Sequence, residues 1–201
     1  GDLDLAVASL GVLFPNNARI GAVVLLENDG NERFTPHVVL REVPRVADVR
    51  ALRKKHPGAP VVTYVNTSAD VKPESDICCT SANAVQVVES LGVDEVIFIP
   101  DKFLGQYVAS KTGVRLILWE GACEVHERFS GLELRDFRGM HPGIHVMAHP
   151  ECPPDVLAEA DFVGSTSAMI DHVGKVHPRQ VAMITECAMA GNVAVEFPDV
   201  E

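Results

Sequence analysis

The chain has 201 residues, 47% of them hydrophobic and only 5% aromatic, and its 28 acidic and 17 basic side chains leave a formal net charge of −11. That length suits one large domain or two small ones, and a core rich in Val, Ala, Ile and Leu suits an α/β protein better than a β-sandwich. The charge argues against nucleic acid or an anionic membrane as partner, and no apolar run approaches the roughly 20 residues of a membrane span. The first residues lack the basic segment of a secretory leader, so a cytoplasmic location is expected.

Residues 5–13 read as a short helix, 22–26 as a strand, Asn28-Asp29-Gly30-Asn31 as a turn and 38–40 as another short strand. From Val46 the pattern becomes regular. A helix over 46–55 ends at His56-Pro57-Gly58, a strand follows over 61–65, and a loop holds Lys72-Pro73. Ile77 ends the next strand and leads into the loop Cys78-Cys79-Thr80-Ser81-Ala82-Asn83. A helix over 83–91 stops at Gly92, and a strand at 96–99, a helix at 104–111 and a strand at 116–118 complete the block.

The same grammar then restarts. A helix over 132–140 ends at His141-Pro142-Gly143, followed by a strand at 144–148, a helix at 154–160, a strand at 162–163, a helix at 168–173 and a strand at 181–184. Blocks 46–120 and 132–201 therefore read as copies of one α/β unit with parallel strands and right-handed crossovers. Phe197-Pro198-Asp199-Val200-Glu201 reads as the entry to a strand that has been cut off.

Chemistry gathers where these strands end. Open α/β sheets place ligands beyond the carboxyl ends of their strands, and this chain repeatedly sets His, Cys, Glu, Ser, Thr and Asn there. Tyr64 and Asn66 alternate at one exit and so share a face, although Tyr64 also suits simple packing. Gly121-Ala122-Cys123-Glu124-Val125-His126 offers a thiol with an imidazole three residues on. This suits a soft metal or an iron–sulfur cluster, or else a buried structural cysteine.

In His149-Pro150-Glu151-Cys152 the proline holds the backbone extended, so that His149 and Glu151 face one side. They suit an acid–base pair, metal ligands or a solvated loop. Thr80-Ser81 and Ser165-Thr166-Ser167 precede helices as ordinary caps or as anion-binding starts. Five cysteines, an odd number with Cys78 beside Cys79, speak against a disulfide framework. Glu186 and Cys187 read as the cap of a following helix.

Together these stretches resemble the quinolinate synthase family of NAD biosynthesis. The matching text is Tyr64-Val-Asn-Thr, Ser75 to Asn83, Pro100-Asp101 with Leu104-Gly105, and Trp119-Glu-Gly-Ala-Cys-Glu-Val-His126. It continues with His149-Pro-Glu-Cys152, Ala160-Asp161, Gly164-Ser-Thr166 with Met169, and Thr185-Glu-Cys187 with Met189.

The resemblance implies three-layer α/β/α units with parallel sheets about a pseudo-threefold axis, here incomplete. Residues 1–45 would be a degenerate remnant of the first unit, 46–122 the second unit, and 130–201 a third that is truncated at its C-terminus. It implies condensation of iminoaspartate with dihydroxyacetone phosphate and dehydration to quinolinate, with an aspartate-oxidising enzyme supplying iminoaspartate.

It also implies a [4Fe–4S] cluster held by one cysteine per unit, with an open iron that binds substrate. Cys123 matches the middle ligand. A first ligand is expected between Leu26 and Val46, where there is none, and a third beyond Glu201, so one of three is present. By the same resemblance His149, Glu151 and Tyr64 are catalytic, and Tyr64, Asn66, Ser81, His126, His149, Glu151 and Thr166 bind substrate. Residues 1–6, 11–14 and 18–20 resemble altered first-unit motifs. Two further readings stay open: a non-catalytic remnant that binds an anion or a partner chain, and a zinc-dependent hydrolase using His149, Glu151, Cys123 or His126.

Overall fold

The structure is a computed structural model, and it describes the backbone of residues 6–9, 21–28 and 34–43 and the whole chain, side chains included, from Pro44 to Glu201. Strands β1 (Ala6–Ser9), β2 (Gly21–Asn28) and β3 (Phe34–Val43) form an antiparallel meander. The helix expected over 5–13 is thus corrected. Its described part is a strand whose backbone pairs with β2, a tertiary choice that overrides a short amphipathic pattern. The strand expected at 38–40 is the middle of the ten-residue β3. Residues 1–5, 11–14, 18–20 and 29–31, where the altered motifs and the turn were expected, lie outside the described residues.

Helix α1 (Val46–Lys55) follows, with Asp48 in its first turn and Arg53, Lys54 and Lys55 in its last, as the helix dipole favours. Then come β4 (Val61–Tyr64), a 3₁₀ turn at Lys72–Glu74 in place of the expected plain loop, β5 (Ile77–Cys79), α2 (Ala84–Ser90) and β6 (Glu95–Ile99). Next are α3 (Lys102–Lys111), β7 (Arg115–Leu118), and two short elements that the sequence pattern does not announce, β8 (Ala122–Cys123) and α4 (Glu124–Glu127). The chain continues through α5 (Gly131–Met140), β9 (His145–Ala148), α6 (Pro154–Ala158), β10 (Phe162–Val163), α7 (Thr166–Val176), β11 (Val181–Ile184) and α8 (Cys187–Glu196).

Two compact units result: Gly1–Thr80 with Ala84–Glu124, and Ser81–Asn83 with Val125–Glu201. The first holds a parallel sheet of order β5-β4-β6-β7, and the antiparallel sheet β1-β2-β3-β8, where Leu40 pairs with Cys123. The second holds a parallel sheet of order β10-β9-β11. The fold is α/β with parallel sheets.

Both parallel sheets are covered on two faces. In the first, Val62, Phe98, Ala84, Val88, Leu104 and Val108 pack on one side, and Val49, Val61, Val71, Ile97 and Ile99 on the other. In the second, Leu134, Val146, Ala148 and Val156 oppose a cluster of Met147, Met169, Val173 and Val193. Alternate strand residues thus supply opposite cores, which is why these strands read as continuous apolar runs.

The two parallel sheets follow one plan at a constant offset of 85 residues, Val61 to Val146. Val62 pairs with Ile77 on one side and Phe98 on the other, and Met147 pairs with Phe162 and Met183. The polar struts repeat too. The Val61 amide donates to Asp76 Oδ2 at 2.7 Å, and Arg53 donates to the same oxygen at 2.7 Å and to the Glu74 carbonyl at 2.9 Å. The Val146 amide donates to Asp161 Oδ2 at 2.8 Å, and Arg138 donates to that carboxylate at 2.9 Å and to the Glu159 carbonyl at 2.9 Å. Arg50–Glu74 and Arg135–Glu159 pair in the same way. Both His-Pro-Gly stops share one geometry. His56 and His141 are C-caps of nearly equal dihedrals, and Gly58 and Gly143 lie at φ +90 and +84, a region that favours glycine.

At the carboxyl end, Glu201 accepts from the Val181 amide at 2.7 Å and donates to the Arg179 carbonyl at 3.1 Å, a parallel-ladder pattern beside β11. Among the described residues no helix is long and apolar enough to cross a membrane.

Candidate active site

In the first unit, Tyr64 closes β4 and its phenol accepts a hydrogen bond from Asn66 Nδ2 at 3.1 Å. Tyr64 is buried while Asn66 is exposed, so the polar end of the pair faces out of the core. The shared face expected of residues two apart is realised as a direct contact.

The nearby Asp101 is fully buried and had no role assigned from the sequence. One carboxylate oxygen accepts from the Leu104 amide at 2.7 Å, capping α3, and the other accepts from the Cys123 amide at 2.9 Å. Lys102 donates its amide to the Gly121 carbonyl at 2.8 Å, so the Gly-rich exit is tied down at Gly121 and at Cys123. Two backbone amides thus share one buried carboxyl group, one at each oxygen. Cys123 is 3% exposed, a thiol held on a fixed backbone.

The other cysteines are less suited to metal. Burial, with Cys78 adding to it, pushes the Cys79 thiol up to about 12, so it stays protonated. The Cys152 thiol is buried and donates to the Ile184 carbonyl at 3.4 Å. Cys78 and Cys187 are exposed.

The second unit gathers Ser81, His126, His149 and Glu151. His149 stands one residue past β9, where its amide donates to the Ile184 carbonyl at 3.1 Å and Pro150 follows. Its Nε2 lies 3.2 Å from Ser81 Oγ, and its Nδ1 lies 3.1 Å from Glu151 Oε2. The Glu151 amide also approaches Nδ1 at 3.4 Å. This is a hydroxyl–imidazole–carboxylate chain in which the carboxylate orients the ring and one ring nitrogen meets the hydroxyl.

His126, on α4, stacks on His149 with ring centroids 4.7 Å apart and 21° between planes. Its Nε2 lies 3.0 Å from Thr185 Oγ1, and its Nδ1 lies 3.8 Å from Glu151 Oε2. Burial lowers the His126 imidazole to about 4, with Glu151 pulling the other way and His149 adding to the fall. His126 is therefore neutral at pH 7. His149 and Glu151 are each 3% exposed, so this polar group sits in a largely dry setting where electrostatic contacts gain strength.

The chain offset of 85 residues also relates the two sites. Tyr64 and Asn66 occupy in the first unit the places of His149 and Glu151 in the second. Ser81 corresponds in the same way to Thr166. Thr166 is exposed and opens α7, while its neighbour Ser165 is the actual cap, accepting from the Ala168 amide at 3.3 Å. Thr185, one residue past β11, was missed as a site residue. Its signals in the sequence are its place at a strand exit and the stretch Thr185-Glu-Cys187 that carries part of the family resemblance.

The family model described as quinolinate synthetase A protein matches residues 37–201. Over 154 residues the chain is 58% identical to quinolinate synthase 2 of Mesorhizobium japonicum, which covers 77% of this chain and 48% of that protein. It is 57% identical over 162 residues to quinolinate synthase 1 of the same organism, covering 81% of this chain and 50% of that protein. Against the quinolinate synthase of Agrobacterium fabrum the identity is 59% over 154 residues, covering 77% of this chain and 45% of the relative. The chain thus spans about half the length of the curated relatives it matches.

Proposed function

The chain belongs to the quinolinate synthetase A family, and from that premise we propose that it serves quinolinate synthesis, the condensation of iminoaspartate with dihydroxyacetone phosphate and the following dehydration, in de novo NAD biosynthesis. On this reading residues 46–122 and 130–201 are the second and third units of the enzyme, and residues 1–45 are an altered first. The partners are the two small substrates and an aspartate-oxidising enzyme that supplies iminoaspartate. The location is cytoplasmic.

The observation that carries this reading is the chain from half-buried Ser81 to buried His149 and Glu151. Condensation and dehydration both require a proton to leave carbon or nitrogen and another to reach a departing oxygen. His149 exchanges these protons at Nε2, with Glu151 holding the ring through Nδ1. Ser81 and Thr166, hydroxyls at helix starts, hold anionic groups of the substrate, as such positions favour. Tyr64 and Asn66 contact substrate, with Tyr64 also taking part in proton transfer, and His126 binds beside His149.

The residues fit a [4Fe–4S] cluster only in part. Holding such a cluster takes several cysteine thiolates converging on one place. Cys123 is suited to be one ligand. Cys152 is committed to a carbonyl, Cys79 is held as a thiol, and Cys78 and Cys187 are exposed. This chain by itself is expected neither to retain such a cluster nor to make quinolinate.

Two measurements test the reading. Anaerobic reconstitution with iron and sulfide is followed by metal analysis and a quinolinate assay, where stoichiometric cluster with turnover would show that other residues replace the missing ligands. Zinc retained without iron or sulfide would favour hydrolase chemistry at His126 and Glu151 instead. Titration of the ¹⁵N-histidine-labelled chain with quinolinate should shift the His126 and His149 resonances, and Ser81→Ala should weaken the response about tenfold, the cost of roughly one charge-assisted hydrogen bond. A chain whose histidines ignore quinolinate would sink the assignment.

A further inference from the structure

The second unit contains a buried hydroxyl whose single use is to touch one ring nitrogen. Thr185 is 6% exposed, and its Oγ1 meets His126 Nε2 at 3.0 Å, its one side-chain hydrogen bond among the described residues. His126 is 3% exposed, and its other nitrogen, Nδ1, has no hydrogen-bond partner among the described residues. The nearest acidic oxygen to Nδ1, Glu151 Oε2, is 3.8 Å away, too far for a hydrogen bond. We propose that Thr185 is a positioning residue that fixes His126 as its Nδ1–H tautomer, so that the ring presents a hydrogen-bond donor to an oxygen of the substrate.

The argument is one of donors and acceptors. A neutral imidazole has one N–H and one bare nitrogen, and the partner of one nitrogen decides which is which. His126 is 3% exposed, and among the described residues no carboxylate lies within hydrogen-bond distance to hold a second ring proton. Suppose the hydrogen sat on Nε2. Thr185 would then accept, and both its own O–H and the bare Nδ1 would be left buried with no partner among the described residues. If Thr185 instead donates to a bare Nε2, that pair is satisfied and the one group left without a partner among the described residues is the ring N–H, now on Nδ1. The carboxylate of Glu151 favours the same choice, since it attracts an N–H and repels a nitrogen lone pair.

Thr185 reaches His126 across 59 positions of chain, and the stack on His149 prevents the ring from tilting away. A buried N–H that no protein group takes up is a vacancy for an incoming acceptor. A substrate carbonyl or carboxylate oxygen matches it, whereas a metal cation, which needs a bare nitrogen, does not. Thr185 acts only through His126 and need not touch substrate. This deepens the reading given above and rests on it for the word substrate; the tautomer itself does not.

The test uses the 201-residue chain labelled with ¹⁵N-histidine and reads two-bond proton–nitrogen correlations at neutral pH, where the two tautomers give distinct patterns. The wild-type chain is expected to show His126 as a single Nδ1–H species. Thr185→Val, which keeps the shape and removes the O–H, should lose that single pattern and show mixed or Nε2–H imidazole, and Thr185→Ser should restore it. If valine is not tolerated, Thr185→Ala gives the same readout. A wild-type His126 protonated on Nε2 would overturn the proposal, as would a valine or alanine variant with the Nδ1–H pattern intact. Both results stand whether or not quinolinate binds. Conversely, a failed quinolinate titration with the expected tautomers would discard the substrate assignment and keep the role of Thr185.

Discussion

Burial lowers the His126 imidazole to about 4, below its ordinary value of 6.5, so folding itself depends on pH through this one side chain. The folded state binds its proton more weakly than the unfolded chain does. The stability contributed by the neutral ring is therefore fully present above pH 6.5 and is lost as pH falls through the window from 6.5 towards 4. The gap corresponds to roughly 3 kcal/mol. Denaturant unfolding of the wild type and of His126→Gln at a series of pH values should show the steeper acid loss in the wild type. Equal slopes would mean that the ring is more hydrated than its burial indicates. The cysteines give a second check at this scale. A bulky thiol reagent should modify the exposed Cys78 and Cys187 in the native chain and spare Cys79, Cys123 and Cys152, as peptide mapping after brief labelling would record.

At the scale of elements, the repeat is carried less by sequence identity than by struts. In each unit an Asp carboxylate takes up the first free strand amide, while an Arg from the last turns of the preceding helix neutralises it. Asp76→Ala and Asp161→Ala remove the same contacts from the two units. Each should destabilise its unit by about 1–3 kcal/mol, because each strands a strand amide and an arginine. The two losses should agree within about 1 kcal/mol, and hydrogen exchange of the β4 and β9 amides would place each loss in its own unit. A large loss in one unit with none in the other would mean that the match in geometry is not a match in energy. Asp101 does related work by joining the start of α3 to the Cys123 amide. Neither role was legible beforehand. An Asp before a helix reads as a cap, and nothing local says that its second oxygen holds an amide 22 residues on. The short β8 and α4 were illegible for a similar reason, since elements of two and four residues have no periodicity to display.

For the whole molecule, the charge of −11 predicts that duplex DNA is repelled, and a mobility-shift assay at physiological salt should show no complex. A shifted band that weakens steeply with salt would reveal a local basic surface that the total conceals. The sequence alone was enough to determine the α/β class, most elements from Val46 onward and the family through its motifs. These are properties of local periodicity, of turn chemistry and of short runs of residues, which survive being read in one dimension. It also singled out Ser81, His126, His149 and Glu151 separately. Only the tertiary structure decided that these four lie together, that residues 6–9 of the helix expected over 5–13 form a strand, and that Thr185 meets one nitrogen of His126. The reason is that a buried donor must find its acceptor wherever packing puts one. His149 meets Ser81 across 68 positions of chain and His126 meets Thr185 across 59, distances at which local pattern carries no information and close packing carries all of it.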